Sequence, residues 1–205
     1  MRLKQICNHP AQATGTNDYA ADRSGKFRRL AEIAEEIASR QEKVLVFTQF
    51  REIAEPLADY LATLFGRSGL VLHGGTTVKQ RKGLVDRFQR EDGPPFFVLS
   101  LKAGGTGLNL TAANHVVLYD RWWNPAVEDQ ARDRAWRIGQ GRTVISHRLV
   151  CPGTIDDRVE EVVAGKRHIA QLMLPQSSSL DDLDTDQLRL ALGLQPDEVI
   201  VGDDR

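Results

Sequence analysis

The chain has 205 residues, 41% hydrophobic and 27% charged, which is typical of a globular protein large enough to bury a core. It contains neither a signal-peptide pattern nor an apolar run near the roughly 20 residues of a membrane-spanning helix, so no membrane partner is expected. The two cysteines, Cys7 and Cys151, are far apart in sequence and indicate neither a disulfide framework nor a zinc site.

Charge is distributed unevenly along the chain. Residues 176–205 hold eight acidic side chains and two arginines, a net charge of −6, whereas the whole chain carries −1. Residues 1–175 therefore carry +5, which permits contact with nucleic acid but does not by itself indicate it. For the acidic tail we expect a solvated end rather than an autoinhibitory segment.

Hydrophobic periodicity predicts helices that alternate with strands. Residues 1–25 are polar and irregular, which predicts a lead-in, and an amphipathic helix begins at Ser24-Gly25-Lys26. Later helices are predicted around Pro56, which should kink its helix or mark its start, after Thr77 with its capping-box spacing, and after Thr154. Short apolar runs predict five strands, at residues 44–47, 70–72, 96–99, 116–119 and 143–150.

This alternation, with no hairpin signals, predicts an α/β fold: a mostly parallel sheet with helices on both faces and a helical appendage at the C-terminus. Ligands of such sheets bind at the carboxyl ends of the strands. Polar segments follow four of the predicted strands: Thr48-Gln49, His73-Gly74-Gly75, a glycine loop at residues 104–107, and the stretch from Asp120 onward. We therefore expect these segments to form one functional edge.

The stretch of residues 120–140 contains a pair of regularly spaced arginines. Arg134 and Arg137 are three residues apart, so on a helix they lie on one face, an arrangement suited to an anionic phosphate. The alternative is a solvated, salt-bridged helix, because acidic residues are interleaved with the arginines. Spacing alone leaves both interpretations open.

The sequence lacks the groups that would bind a nucleotide first. Neither Gly25-Lys26 nor Gly165-Lys166 has the spacing of a Walker A phosphate loop, and the glycine loop lacks the third glycine of a dinucleotide fingerprint. Asp120 has the place of a Walker B aspartate, but without a phosphate loop it is better explained as a strand-end turn residue. The arginines therefore suit a nucleotide held by another surface, because arginine fingers can act in trans.

Five segments form an ordered set, at residues 3–10 (LKQICNHP), 44–50, 72–88, 100–110 and 130–140. In this order they resemble motifs of the second RecA-like lobe of the Swi/Snf family of double-stranded-DNA translocases, in helicase superfamily two, and the resemblance covers about residues 1–175. It implies a RecA-like three-layer sandwich. The implied parts are an inter-lobe linker at residues 1–25, the lobe at residues 26–152, and a bracing helix with the acidic tail at residues 153–205.

The resemblance also implies roles for individual residues. Arg134 and Arg137 would be the catalytic arginines that reach the γ-phosphate of ATP. The other residues expected at the nucleotide are Gln130, Gly105 and Gly107. The residues expected on the DNA backbone are Thr48, Gln49, Arg51, Lys79, Lys82, Thr106 and Trp123, although core packing is an equally good expectation for the tryptophan. Many family members carry histidine in place of Trp136, and tryptophan cannot donate a hydrogen bond as histidine does.

We therefore expect the C-terminal motor lobe of an ATP-driven translocase, monomeric when isolated and with no metal site of its own. Its partners would be double-stranded DNA and a first lobe that holds ATP and Mg²⁺, in a cytoplasmic, nucleoid or nuclear setting. Without the phosphate loop, the chain alone should not hydrolyse ATP. One alternative is a stand-alone nucleic-acid- or protein-binding module without catalysis, and another is an unrelated nucleotide-binding enzyme of flavodoxin-like topology.

Overall fold

A computed structural model describes residues 2–100, 108–136 and 140–173, with side chains as far as residue 165, and contains a parallel sheet flanked by helices. The strands are β1 (Val44–Thr48), β2 (Leu70–Leu72), β3 (Phe96–Ser100), β4 (His115–Leu118) and β5 (Ile145–Arg148). The helices are α1 (Arg2–Asn8), α2 (Pro10–Thr14), α3 (Gly25–Ser39), α4 (Ala54–Phe65), α5 (Val78–Gln89), α6 (Pro125–Arg132) and α7 (Ile155–Met173).

The sheet has the strand order β2-β3-β1-β4-β5, and all neighbouring strands are parallel. Thr48 at the end of β1 lies opposite Ser100 at the end of β3, so the carboxyl ends of the central strands share one edge. The predicted α/β fold with a parallel sheet is confirmed. Each predicted strand is present, although β5 has four residues rather than the predicted eight.

The central strands β1, β3 and β4 are buried on both faces, as continuous apolar runs predict. On one face, Val46 packs in a cluster with Phe27 of α3 and Leu57 of α4. On the other face, Leu45 packs in a cluster with Phe88 of α5 and Ala131 of α6. Most of β5 is exposed, because it forms the end of the sheet in the described residues.

Polar side chains define the helix starts. The Ser24 hydroxyl accepts a hydrogen bond from the backbone N–H of Phe27 and caps α3, and Thr77 forms a reciprocal capping box with Gln80 at α5. Pro56 lies in the first turn of α4, where its missing N–H costs no intrahelical bond. It therefore marks the start of that helix rather than a kink.

The expectation that residues 1–25 form an irregular lead-in is wrong for their first half. This segment forms α1 and α2, and Lys4, Asn8 and His9 are buried. The carbonyl oxygen of Asn8 accepts a hydrogen bond from the Tyr119 hydroxyl at 2.8 Å. The segment is anchored by buried hydrogen bonds rather than by an apolar stripe, and hydrophobic periodicity does not report such bonds.

The last described helix, α7, begins one residue after Thr154, as predicted. The helix and acidic tail predicted near the C-terminus lie outside the described residues. Among the helices of the described ranges, none is both long and apolar enough to span a membrane.

Candidate functional site

Asp120 fixes the turn at the carboxyl edge of the sheet. It lies two residues beyond β4, and Thr48 ends the neighbouring strand β1, so the sheet brings their side chains together. The Asp120 carboxylate accepts hydrogen bonds from the Thr48 hydroxyl (2.6 Å) and from the backbone N–H of Gln49 (2.9 Å). Burial raises the pKa of this carboxyl group, and the two hydrogen bonds act in the opposite direction. Asp120 is thus the strand-end turn residue that the sequence predicts.

A buried polar network extends from Asp120 into the lead-in and α7. The Asn8 side-chain amide donates to the Asp120 carboxylate at 3.3 Å, and its oxygen accepts from the Lys26 ammonium at 3.4 Å. Lys26 also forms a salt bridge of 2.8 Å with Asp156 in α7, and these two side chains are 2% and 1% exposed. The network joins four segments that are distant in sequence, so no local motif predicts it.

Arg121 is a second buried charge that the sequence analysis missed. It is 1% exposed, and its guanidinium pairs with Glu128 of α6 at 2.8 Å and with Glu160 of α7. Its carbonyl oxygen accepts hydrogen bonds from the side chains of Lys4 and Gln49. Burial lowers the pKa of Lys4, and the nearby carboxylates partly offset this effect. In the sequence, the only sign of a role for Arg121 is its position directly after a strand-end aspartate.

The residues predicted to contact DNA differ in their exposure at this edge. Thr48 is fully buried with its hydroxyl bonded to the aspartate, so a DNA contact by its side chain requires a rearrangement. Gln49 is half-buried. Arg51, in the 3₁₀ turn after β1, and Lys79 and Lys82, in the first half of α5, are exposed.

The exposed cations lie near the loop between β2 and α5. A side chain at Gly75 in this loop would come within 3.8 Å of the Arg51 guanidinium. His73 orders the loop, because its Nδ1 accepts a hydrogen bond from the Gly75 backbone N–H at 3.1 Å. Lys79 follows in the first turn of α5. This rim combines exposed cations with a backbone held by hydrogen bonds, which suits contact with a chain of phosphates.

Trp123 is 39% exposed, and the Lys4 ammonium lies 5.3 Å from the centre of its ring. This distance is that of a cation–π contact. Its side chain is therefore not buried in the core, and its contact with DNA stays a prediction.

The expectation of one functional edge is wrong for Arg134. α6 begins after the carboxyl end of β4 and carries the chain back to the loop that precedes β4. There the carbonyl oxygen of Arg134 accepts a hydrogen bond from the backbone N–H of Leu110 at 2.9 Å. The Gln140 amide donates to the carbonyl oxygens of Thr111 and Ala113 at 2.9 and 3.0 Å. The eight residues of α6 span about 12 Å and run back against the direction of β4. This accounts for the change from the carboxyl edge of the sheet to the other edge.

The remaining predicted residues are either exposed or outside the described part of the chain. Gln130 is exposed on α6, and Trp136 is 68% exposed just beyond its end. Four predicted site residues lie outside the described part of the chain: Gly105, Thr106, Gly107 and Arg137.

Comparison with known proteins identifies the family. The model of the helicase conserved C-terminal domain matches residues 25–139. Over 189 residues the chain is 42% identical to a Bacillus subtilis protein provisionally named ATP-dependent helicase/translocase YwqA, which covers 91% of this chain and 20% of that protein. Over 163 residues it is 39% identical to the DNA excision repair protein CSB of Oryza sativa subsp. japonica, which covers 77% of this chain and 14% of that protein. The chain thus spans about a fifth or less of the length of these relatives.

Solved structures agree with this assignment. The SWI2/SNF2 ATPase core domain of Sulfolobus solfataricus is 38% identical with a TM-score of 0.71, covering 93% of this chain and 38% of that chain. The same core in complex with double-stranded DNA is 36% identical with a TM-score of 0.71, and the match covers 93% of this chain and 40% of that chain. The C-terminal domain of that ATPase is 35% identical with a TM-score of 0.68, covering 95% and 79%. The chain belongs to the helicase conserved C-terminal domain family, as a RecA-like C-terminal lobe of the Swi/Snf group of ATP-dependent helicases and translocases.

Proposed function

We propose that the chain is the C-terminal motor lobe of an ATP-driven translocase or remodeller of double-stranded DNA. The observation that carries this proposal is the family match over residues 25–139, together with a similar core solved in complex with double-stranded DNA. The chain spans about a fifth or less of its relatives and carries no Walker A loop, so we propose that the motor activity requires parts outside it. One of these parts is a first lobe that holds ATP and Mg²⁺.

On the nucleotide side, Arg134 and Arg137 act as arginine fingers. The chain has no Walker A loop, so its cations meet ATP only when the first lobe presents it. The guanidinium groups then neutralise the charge that develops on the γ-phosphate. The hydrogen bond between the Arg134 backbone and Leu110 supports this role, because it holds the finger segment against the end of the glycine-loop segment. The other residues on this side are Gln130, Gly105 and Gly107.

On the DNA side, the exposed rim at the carboxyl edge contacts the phosphate backbone. Arg51, Lys79 and Lys82 supply positive charge that follows a strand without reading its sequence. The further members of this surface are Gln49, Thr106 and Trp123. Thr48 acts mainly through the aspartate that also fixes the Gln49 backbone, since its own hydroxyl is engaged.

We further propose that residues 1–25 connect the two lobes, that residues 26–152 form the lobe, and that residues 153–205 form a bracing helix and acidic tail. The contacts of Asn8 with Tyr119 and Asp120 support a connection that is docked on this lobe. The isolated chain is then a monomer without ATPase activity. In the cell the motor is associated with DNA in the cytoplasm, nucleoid or nucleus.

The test uses the protein in which this lobe is joined to a lobe with a phosphate loop. Arg134→Ala and Arg137→Ala should each lower the DNA-stimulated ATPase turnover number by about a thousandfold or more, the range seen for arginine fingers. Equilibrium binding of a fluorescent ATP analogue should change little, because the first lobe holds the nucleotide. Turnover and binding are measured on the same preparations.

Arg29→Ala is the matched control. Arg29 is an exposed arginine of α3 that pairs with Glu32 on the protein surface, and it has no predicted role at either ligand. The ATPase turnover number of the Arg29→Ala variant should equal that of the unmodified protein. Normal turnover in both finger variants would refute the arginine-finger role, and ATPase activity of the isolated 205 residues would refute the need for a first lobe.

A further inference from the structure

The cysteines are 144 residues apart in sequence and meet in the fold. Cys7 lies in the last turn of α1, and Cys151 lies between β5 and α7. The Cys151 thiol points at the carbonyl oxygen of Cys7, with its sulfur 3.4 Å from that oxygen. The two sulfur atoms and a carboxylate oxygen of Asp156 all lie within 4.8 Å of one another. Both cysteines are free, and both residues are half-buried rather than fully enclosed.

We propose that Cys7 and Cys151 are a redox-active thiol pair that low-molecular-weight disulfides convert into an intramolecular disulfide. A disulfide has sulfur atoms about 2.0 Å apart, so closure requires the two sulfurs to approach by less than about 3 Å. Rotation of the side chains can supply much of this movement. The bond would join the end of α1 to the connection that leads into α7.

The alternative use of the same three groups is a metal site, and the charge around Asp156 disfavours it. The Asp156 carboxylate already has the buried Lys26 ammonium at 2.8 Å and also accepts a hydrogen bond from the Cys151 backbone N–H. A divalent cation between the thiols would lie next to this buried positive charge, which repels it. Formation of a disulfide adds no charge to the cluster.

The chemistry is two successive thiol–disulfide exchanges with an oxidised low-molecular-weight thiol such as glutathione disulfide. Burial raises the pKa of the Cys151 thiol, which lowers its thiolate fraction, so the first attack is assigned to Cys7. The Cys7 thiolate forms a mixed disulfide and releases one reduced glutathione. Cys151, as a thiolate, then attacks the Cys7 sulfur, the protein disulfide forms, and a second reduced glutathione leaves. The protein loses two electrons and two protons, which reduce one glutathione disulfide to two thiols.

The position of the pair gives the bond a structural consequence. Asn8, the next residue after Cys7, belongs to the buried network that includes Lys26 and Asp156. In the reduced state, only non-covalent contacts hold the end of α1 against the start of α7. In the oxidised state, α1 can no longer separate from the start of α7. This chemistry of the pair does not depend on the proposed motor activity.

The test incubates the 205-residue chain with defined ratios of reduced and oxidised glutathione, in buffer and in concentrated urea, followed by acid quenching, alkylation and mass spectrometry. Because the chain has only two cysteines, an intramolecular disulfide must join them. For a loop of this length, the ratio of intramolecular disulfide to dithiol should be about a thousandfold higher in buffer than in urea. The same ratio in both solvents would show that the fold does not assemble the pair and would overturn the proposal.

Two single variants and one metal titration complete the test. Cys7→Ser and Cys151→Ser should each yield the glutathione mixed disulfide and no faster-migrating cross-linked form. Disulfide-linked dimers of the unmodified chain, in place of the intramolecular bond, would contradict the proposal. Stoichiometric binding of Co²⁺ to the reduced chain, with a thiolate-to-metal absorption band that either variant removes, would replace it by a metal site.

Discussion

The buried salt bridge between Lys26 and Asp156 makes a sharp prediction about stability. Its atoms are 2.8 Å apart, which corresponds to a gross attraction of about 6 kcal/mol at an effective dielectric constant of about 20. Burial of the two ions cancels much of this attraction, so the pair as a whole contributes little. Removing one partner, however, leaves the other charge buried and uncompensated. We expect Lys26→Met or Asp156→Leu to lower the free energy of unfolding by about 3–5 kcal/mol.

The double variant and a control on the same helix separate this effect from general damage. Lys26→Met combined with Asp156→Leu replaces both ions with apolar side chains. The double variant should therefore lose less free energy of unfolding than the sum of the two single variants, by about 2 kcal/mol or more. Arg29→Met makes a similar substitution one turn further along α3. The Arg29–Glu32 pair has side chains that are 64% and 63% exposed, so this variant should change stability by less than about 0.5 kcal/mol.

The assay is urea denaturation of the 205-residue chain, with the dependence of the unfolding free energy on urea compared between variants. Equal slopes are required, because they show that the same surface is exposed on unfolding. Two results would refute the reasoning: single variants of Lys26 and Asp156 that lose no more than Arg29→Met, or losses that add without any coupling in the double variant.

Other features give predictions that share the same denaturation assay. Gly69→Ala should cost about 2 kcal/mol, because its new methyl group would overlap the ring of buried Phe96; an unchanged midpoint would contradict this close contact. Thr77→Ala should cost about 1 kcal/mol through loss of the cap on α5, and Thr77→Ser should restore most of it. Burial and the neighbouring His115 lower the pKa of His147, so the unfolded chain binds its proton first and stability falls as the pH drops below 6.5. His147→Gln should weaken this pH dependence, and an identical pH profile would count against it.

The fold was largely predictable because its elements are local and strongly patterned. Continuous apolar runs such as residues 96–99 are typical of strands buried on both faces, and the capping box at Thr77 predicts where α5 begins. The lead-in was not predictable in this way. Lys4 and Asn8 are buried because distant groups satisfy their polar atoms, and a single polar residue in a sequence carries no sign of a partner more than one hundred positions away.

The site was predictable only in part. Asp120 was correctly interpreted as a turn residue, since an aspartate directly after an apolar run commonly ends a strand. Its neighbour Arg121 was missed, because a buried arginine is recognisable only through carboxylates that other elements supply, here Glu128 and Glu160. The burial of Thr48 was not predictable either, because its partner Asp120 belongs to another element. Sequence motifs report which side chains are present at a strand end but not which of them are already engaged.

The separation of the two sheet edges bears on how a motor lobe of this kind would couple its ligands. Arg51 and Lys79 follow the carboxyl ends of β1 and β2, whereas α6 carries the backbone of Arg134 to the segment that precedes β4. In the sequence, Ser100 at the carboxyl end of β3 is followed ten residues later by Leu110, whose backbone N–H contacts the Arg134 carbonyl oxygen. The proposed DNA-binding cations Arg51 and Lys79 and the backbone of the arginine-finger segment therefore lie at different edges of one parallel sheet. We therefore expect coupling between the two ligands to depend on α6 and on the hydrogen bond between Leu110 and Arg134, which link the finger segment to the sheet.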